Sequence, residues 1–245
     1  MQKFIGIIPA RYKSSRFPGK PLCDILGKPM IWHVYHQAIK WEHFSEVYVA
    51  TDDQRIMEVC REQDIPCIIT SPDCSDCLDR AWEAVEILNN NGKYAETYIV
   101  IQGDEPLFNV ETLDVNYDYP CINFYTKATT DIDDPNAVKV VLNINDDAMY
   151  FSRFALPYHN INTTRSDREF PVYKQIGVYA FNAQMLQEYH NLKPTMLENA
   201  EGIGLNRLLE SDYCVNMKYT AHDSISVDTP ADKEKVIQIL KDKNR

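Results

Sequence analysis

The chain has 245 residues, 44% of them hydrophobic, and a formal net charge of -11. That is apolar side chain enough for one substantial core, while an acidic balance argues against broad nucleic-acid binding, which needs a basic face. No apolar run approaches the roughly 18 residues that cross a bilayer, and Met1-Gln2-Lys3-Phe4 leads directly into a strand pattern without a signal-like segment, so a cytoplasmic protein with no membrane or nucleic-acid partner is expected.

In chain order, Phe4 to Pro9 reads as a continuously apolar strand, followed by the run Ala10-Arg11-Tyr12-Lys13-Ser14-Ser15-Arg16-Phe17-Pro18-Gly19-Lys20-Pro21. Four cations in ten residues stand out in so acidic a chain. Guanidinium forks, an ammonium and hydroxyl donors suit a polyphosphate, although a basic run is usually a solvated surface turn. Pro18 and Pro21 fix two φ angles and Gly19 frees one between them, which favours a loop with a defined shape. The run matches neither the Walker nor the Rossmann glycine pattern.

A helix is expected over Met30 to Trp41, strands over Val47 to Thr51 and Cys67 to Thr70, and helices over Asp53 to Gln63 and Leu78 to Asn89, the last closed by Asn90-Asn91-Gly92. Within these, His33 and His36 share a helix face but lack a carboxylate partner, so packing or solvation is expected of them. The seven cysteines, an odd number, are expected to be reduced. Cys74-x-x-Cys77 has no second pair or nearby histidine to complete a zinc site. Thr97 to Gln102 reads as another apolar strand. Continuously apolar strands alternating with amphipathic helices predict an α/β fold with a mostly parallel sheet covered on both faces. Ligands of such sheets bind beyond the carboxyl ends of the strands, which puts the Arg11 loop, Thr51-Asp52-Asp53 and Gln102-Gly103-Asp104-Glu105-Pro106 along one edge. Asp104 at a strand tip suits Mg²⁺, which typically takes one or two carboxylates plus phosphate oxygens; an Asp starting a turn before Pro106 is the competing reading. Asp228, in Val227-Asp228-Thr229-Pro230, could supply a second carboxylate or serve the N-cap of a last helix over Ala231 to Lys241.

The N-terminal run resembles the I-P-A-R-x-x-S-x-R-x-P-G-K-P signature of the CMP-Kdo synthetases (3-deoxy-manno-octulosonate cytidylyltransferases). Gln102-Gly103-Asp104-Glu105-Pro106 resembles the Q-G-D-E-P of the same family, and Val227 to Pro230 its V-D-T-P. Pro135 to Val141, Met149 to Arg153 and Tyr173 to Phe181 are similar to further family segments, so the resemblance covers Ile5 to about Val236. It implies a Rossmann-like nucleotidyltransferase fold with a smaller mixed sheet for acceptor binding and dimerisation. Residues 1–245 would form one domain, with 1–108 the nucleotide-binding half and 109–245 the acceptor-binding half. From Asn109 to Thr126 there is room for about one short helix. The implied reaction is transfer of CMP from CTP to a 2-keto-3-deoxy sugar acid for surface polysaccharide, with Mg²⁺ as cofactor and a homodimer as the working form. The implied nucleotide-binding residues are Pro9, Ala10, Arg11, Ser14, Arg16, Lys20, Asp79 and Arg80. Arg11, Lys20 and Asp104 would be catalytic, Asp104 and Asp228 would hold the metal, and Gln102, Arg153, Gln175 and Tyr179 would face the acceptor.

Three departures stand beside these matches. The family's S-G-T-D-R is Asp76-Cys77-Leu78-Asp79-Arg80, the His of its K-H-I-G is Gln175, and its L-E-Q-L-R is Ile203-Gly204-Leu205-Asn206-Arg207. Losing hydroxyl-binding groups alters discrimination, so an acceptor other than Kdo, such as an amino- or deoxy-substituted octulosonate, is expected. The reverse substitutions, Gly204→Glu with Leu205→Gln, are expected to shift preference toward Kdo. A non-catalytic nucleotide-binding relative is the remaining alternative.

Overall fold

The first apolar run forms β1 (Phe4–Ala10), buried at every position. Its side chains alternate between the two faces of the sheet, as the strand period of two requires: Ile5 and Ile7 pack with one core cluster, Phe4 and Ile8 with another. The computed structural model describes residues 3–14, 16–114, 118–129, 132–158 and 170–243. After the basic loop come a short ribbon, β2 (Asp24–Ile25) paired antiparallel with β3 (Lys28–Pro29), and α1 (Met30–Ala38). The chain then alternates through β4 (Phe44–Thr51), α2 (Gln54–Glu62), β5 (Cys67–Ile69), α3 (Cys77–Asn90) and β6 (Thr97–Ile101). The helix expected to reach Trp41 gives way at Ala38 to turn-type bonds, Lys40 N–H to Gln37 carbonyl and Trp41 N–H to Ala38 carbonyl. Trp41 instead packs edge-on against Phe4, with ring centroids 4.9 Å apart. Helix starts follow side-chain chemistry: Asp53 accepts from the Arg55 N–H and opens α2, and Asp76 accepts from the Leu78 and Asp79 N–H groups and opens α3.

The second half contributes β7 (Cys121–Lys127), β8 (Lys139–Leu142), β9 (Ala148–Ser152), β10 (Tyr173–Phe181), α4 (Ala183–Asn191), α5 (Met196–Glu201), α6 (Leu205–Glu210), β11 (Asn216–Tyr219) and α7 (Pro230–Lys243). The short helix expected after Asn109 is a single 3-10 turn, Val110–Thr112. The main sheet runs β11-β7-β10-β6-β1-β4-β5. All its neighbours pair parallel except β10, which is antiparallel to both β6 and β7. The expected smaller sheet takes the form of the antiparallel β8–β9 arm, joined to the main sheet because β8 pairs with the start of β10. One core cluster joins β1 to α3 through Leu78, Ala81 and Val85; the other joins it to α1 and α2 through Ile31, Val34 and Ile56. α7 closes a third cluster, Val236 packing with Ile25, Met30 and Val227. Among the described residues no helix is long and apolar enough to cross a membrane.

Candidate active site

The carboxyl ends of β1 and β6 and one side of β10 border a cleft of about 780 Å³. Into it the sequence delivers its basic loop in a fixed shape. Gly19 has φ 71°, a left-handed conformation that side-chain-bearing residues rarely adopt, and its N–H closes the loop onto the Tyr12 carbonyl at 2.8 Å. The Arg55 guanidinium lies 3.3 Å over the Tyr12 ring and pins the loop from behind. Lys20 then starts a 3-10 turn, Lys20–Leu22, whose second residue is Pro21.

Lys20 is the electrostatic centre of the cleft. Its ammonium lies 2.5 Å from Asp104 Oδ2 and 3.1 Å from Asp228 Oδ1. Arg16 reaches the same Asp228 oxygen at 3.0 Å. Burial of the Lys20 ammonium works to lower its pKa, but the two carboxylates outweigh burial and the value is raised above 10.5, so the group stays charged. Asp228 has no capping duty: the start of α7 is capped by Thr229 and Asp232, the Thr229 N–H donating to Asp232 at 2.9 Å and the Asp232 N–H to the Thr229 hydroxyl at 3.3 Å. The metal-or-cap ambiguity at Asp228 therefore resolves against the cap.

Asp104 Oδ1 is buried and without a hydrogen-bond partner in the structure. An orphaned oxygen on a carboxylate that shares the Lys20 ammonium with a second carboxylate, beside cations that suit phosphate, fits a hard divalent cation with one or two protein oxygens. No cluster of three or more His, Cys, Asp or Glu that could hold a metal occurs among the described residues. A two-carboxylate magnesium site completed by phosphate oxygens is what this donor set suits.

Tyr179 of β10 also borders the cleft and accepts from the Gln102 amide at 2.7 Å and the Gln175 amide at 3.4 Å. Burial pushes its hydroxyl pKa well above the ordinary value, so it keeps its proton. With both neighbours donating, that proton is left for an acceptor in the cleft. Arg153, just beyond β9, donates to the carbonyls of Glu201, Pro135 and Gly202 at 2.6, 2.8 and 3.3 Å. Those carbonyls fix the guanidinium's orientation, while the Glu201 carboxylate, which accepts the Arg153 backbone N–H at 2.9 Å, lies close enough to feel its charge; the side chain still borders the cleft, where it can meet a carboxylate.

The cleft gathers nearly every expected site residue: Pro9, Ala10, Arg11, Ser14, Arg16, Lys20, Arg80, Gln102, Asp104, Arg153, Gln175, Tyr179 and Asp228 all border it. Asp79 does not. It lies under the wall, 3.4 Å from Arg207 Nη1, and accepts the Ser75 hydroxyl. Arg80 borders the cleft, but its guanidinium is engaged by Thr70 at 2.6 Å and Asp52 at 3.2 Å. Asp52 and Asp53, expected on the ligand edge, serve that ion pair and the cap of α2 instead. Cys74 donates to Glu83 at 3.0 Å, its thiol raised by burial to about 12, and Cys77 Sγ lies 3.8 Å from the Gln102 amide nitrogen. His33 bonds the Ile25 carbonyl at 2.7 Å and His36 stacks on Trp32.

The structure corrects the reading of Gly204. Its backbone is ordinary right-handed helix, φ -59° and ψ -35°, so glycine is not needed for conformation. It is needed for space: a Cβ there would stand 2.5 Å from the Tyr189 hydroxyl and 2.7 Å from Asp76 Oδ2, which are hydrogen-bonded to each other. Leu205 is buried in the core. A carboxylate from Asp76 thus occupies the volume beside position 204, so Gly204→Glu would collide with a built arrangement and Leu205→Gln would bury an amide in the apolar core. Two residues passed over in the sequence are central here. Asp76 has a legible signal, an Asp just before an amphipathic helix. Glu105 has none, because its partners lie 119 and 121 positions away.

Comparison with known proteins is consistent across the chain. A family model described as cytidylyltransferase matches residues 5–219. The 3-deoxy-manno-octulosonate cytidylyltransferase of Syntrophobacter fumaroxidans is 39% identical over 97% of both chains. The 8-amino-3,8-dideoxy-manno-octulosonate cytidylyltransferase of Shewanella baltica OS185 is 37% identical over 96% of this chain and 97% of its own. A solved structure of CMP:2-keto-3-deoxy-manno-octonic acid synthetase complexed with CTP superimposes with a TM-score of 0.84 at 35% identity, covering 98% of this chain and 99% of that one. The inositol-1-phosphate CTP transferase of T. maritima, 14% identical with a TM-score of 0.64 over 98% and 95% of the two chains, shares the fold.

Proposed function

The chain belongs to the 3-deoxy-manno-octulosonate cytidylyltransferase family, and from that premise we propose that it transfers CMP from CTP to a 2-keto-3-deoxy-octulosonate, releasing pyrophosphate and supplying an activated sugar acid for surface polysaccharide. The observation that carries this reading is Lys20 held between Asp104 and Asp228 in a cleft that Arg153 and the Gln102–Tyr179 pair also border. A triphosphate would meet Arg11, Arg16 and Lys20, and the sugar acid's carboxylate would meet Arg153. In the reaction an acceptor hydroxyl oxygen bonds to the α-phosphorus and the bond from that phosphorus to the pyrophosphate oxygen breaks. Such transfers depend on alignment and charge stabilisation, not on a covalent enzyme intermediate. Lys20 and Arg11 offset the charge that builds on the leaving pyrophosphate, while Gln102 and Tyr179 orient the attacking end of the acceptor. Asp104 and Asp228 would hold Mg²⁺, which supplies charge neutralisation and lowers the pKa of an oxygen bound to it.

A second acceptor reading is favoured by one observation: where an acidic side chain at 204 would project, Asp76 already presents a carboxylate beside Tyr189. That carboxylate suits a donor on the sugar acid, hydroxyl or ammonium, so Kdo and its 8-amino-3,8-dideoxy analogue are the two acceptors to compare. The test is pyrophosphate release with CTP, Mg²⁺ and each acid. Turnover of either at kcat/KM of about 10⁴ M⁻¹s⁻¹ or more, within the ordinary enzyme range, supports the proposal, and no turnover of any 2-keto-3-deoxy acid defeats it. The homodimer belongs to the same proposal, supported by two exposed apolar side chains that bracket β9, Met149 near its start and Phe154 just after its end; sedimentation velocity tests it.

A further inference from the structure

Residues 222–228 have no regular secondary structure, yet they bring Asp228 to the same ammonium as Asp104. Lys20 and Arg16 draw the Asp228 carboxylate in, but a cation contact at the side-chain tip does not by itself fix the backbone of an irregular segment beside a like-charged Asp104, so anchors on the segment itself matter. The neighbouring Glu105 is 2% exposed, and each of its oxygens is taken by a hydroxyl from the segment: Oε2 accepts from Ser224 and Oε1 from Ser226 at 2.6 Å. Between these serines and Asp228, the Val227 N–H donates to the Asp104 carbonyl at 2.9 Å. From β10, the Lys174 ammonium donates to the Ser224 carbonyl at 3.0 Å and pairs with Asp223 at 2.7 Å. Gly177 completes the fit, since a Cβ there would stand 2.6 Å from Glu105 Oε1. A buried carboxylate is costly unless it is fully bonded. This one spends its bonds on tying the end of β6 to the approach to α7.

We propose that Glu105 is a positioning residue that acts through Asp228: it clamps residues 224–227 to the tip of β6 and so sets the second carboxylate opposite Asp104. The proposal rests on the reading of Asp104 and Asp228 as the metal-holding pair, and two measurements keep them apart. Hydrogen exchange followed by NMR reads the clamp without metal. In Glu105→Ala the Val227 amide should exchange on the order of tenfold faster, with the β6 amides unchanged. Calorimetry with CTP, with and without Mg²⁺, reads the consequence. Glu105→Ala should reduce the Mg²⁺-dependent gain in affinity on the order of tenfold, leave metal-free CTP binding alone, and add nothing further in an Asp228→Asn background. Ser226→Ala, a smaller change, should move both readouts the same way and serves if Glu105→Ala does not fold. Unchanged exchange at Val227, or an equal loss of affinity with and without Asp228, overturns the proposal. If the wild-type protein gains no CTP affinity from Mg²⁺, the metal reading falls, and the exchange result alone decides the clamp.

Discussion

Asp104→Asn removes one charge and almost no volume, leaving the backbone bond to Val227 intact. In the metal-free protein its cost follows from the Lys20 pair: oxygen and nitrogen are 2.5 Å apart, with side chains 19% and 13% exposed. Unit charges at about 4 Å near a protein surface attract by about 4 kcal/mol. Desolvation of both partners and the surviving contact of Lys20 to Asp228 return most of that, leaving a loss of about 1–2 kcal/mol. For a chain of this size that is a fall of about 2–8 °C in Tm, at about 2–4 °C per kcal/mol. Turnover should suffer more, because the same side chain carries the orphaned Oδ1 that suits the cation. Deleting one preorganised electrostatic group costs about 10²–10³ in kcat, or about 2.7–4 kcal/mol. Pyrophosphate release at saturating CTP, acceptor and Mg²⁺, beside a melting curve of the same sample, measures both. A variant that retains a tenth or more of wild-type kcat, or that loses only in KM, refutes the assignment of Asp104.

Lys20→Ala and Arg11→Ala should each weaken CTP far more than CMP in calorimetry; equal losses for the two nucleotides would make the loop a scaffold and not a phosphate site. Gly204→Ala should destabilise the protein by about 1–3 kcal/mol, the usual cost of overpacking, as read by urea denaturation, and a stability equal to wild type would show that Tyr189 and Asp76 yield freely. Asp76→Asn keeps the cap, since Asn caps as well as Asp, but changes the pH dependence. Burial raises the Asp76 carboxyl above 3.8 in the folded state, so the folded chain binds the proton more tightly, and this contribution is full below about pH 3.8 and lost as pH rises through the folded value. The stability difference between wild type and Asp76→Asn should therefore shift against wild type as pH rises through the mildly acidic range, and denaturation curves at several pH values that stay parallel would refute the shift.

The reach of the sequence had physical limits. Strands such as β1 and β6 were legible because they are buried on both faces and therefore read as unbroken apolar runs. The closed loop was legible because Gly19 and its flanking prolines restrict the backbone locally. The reversal of β10 was not, since hydrophobic pattern reports which faces are covered and carries no sign of strand direction. Asp79 illustrates the same limit at the site: its spacing from Arg80 is local, but the Arg207 that draws it beneath the wall is 128 positions away. Gly204 looked like a lost contact because the residue that fills its space, Asp76, belongs to another element.

The place of β10 in the sheet also sets an order of assembly. Strands β1, β4, β5 and β6 are complete by Ile101, but β6 keeps an open edge of apolar residues until Tyr173–Phe181 arrives between it and β7. A chain emerging from the ribosome therefore carries a Thr-Tyr-Ile-Val-Ile strand with one edge open for roughly seventy residues of synthesis, the kind of edge that recruits other chains. The strand that ends this exposure is the one that carries Gln175 and Tyr179, so the part of the cleft they border is built in the same step that covers the β6 edge against self-association.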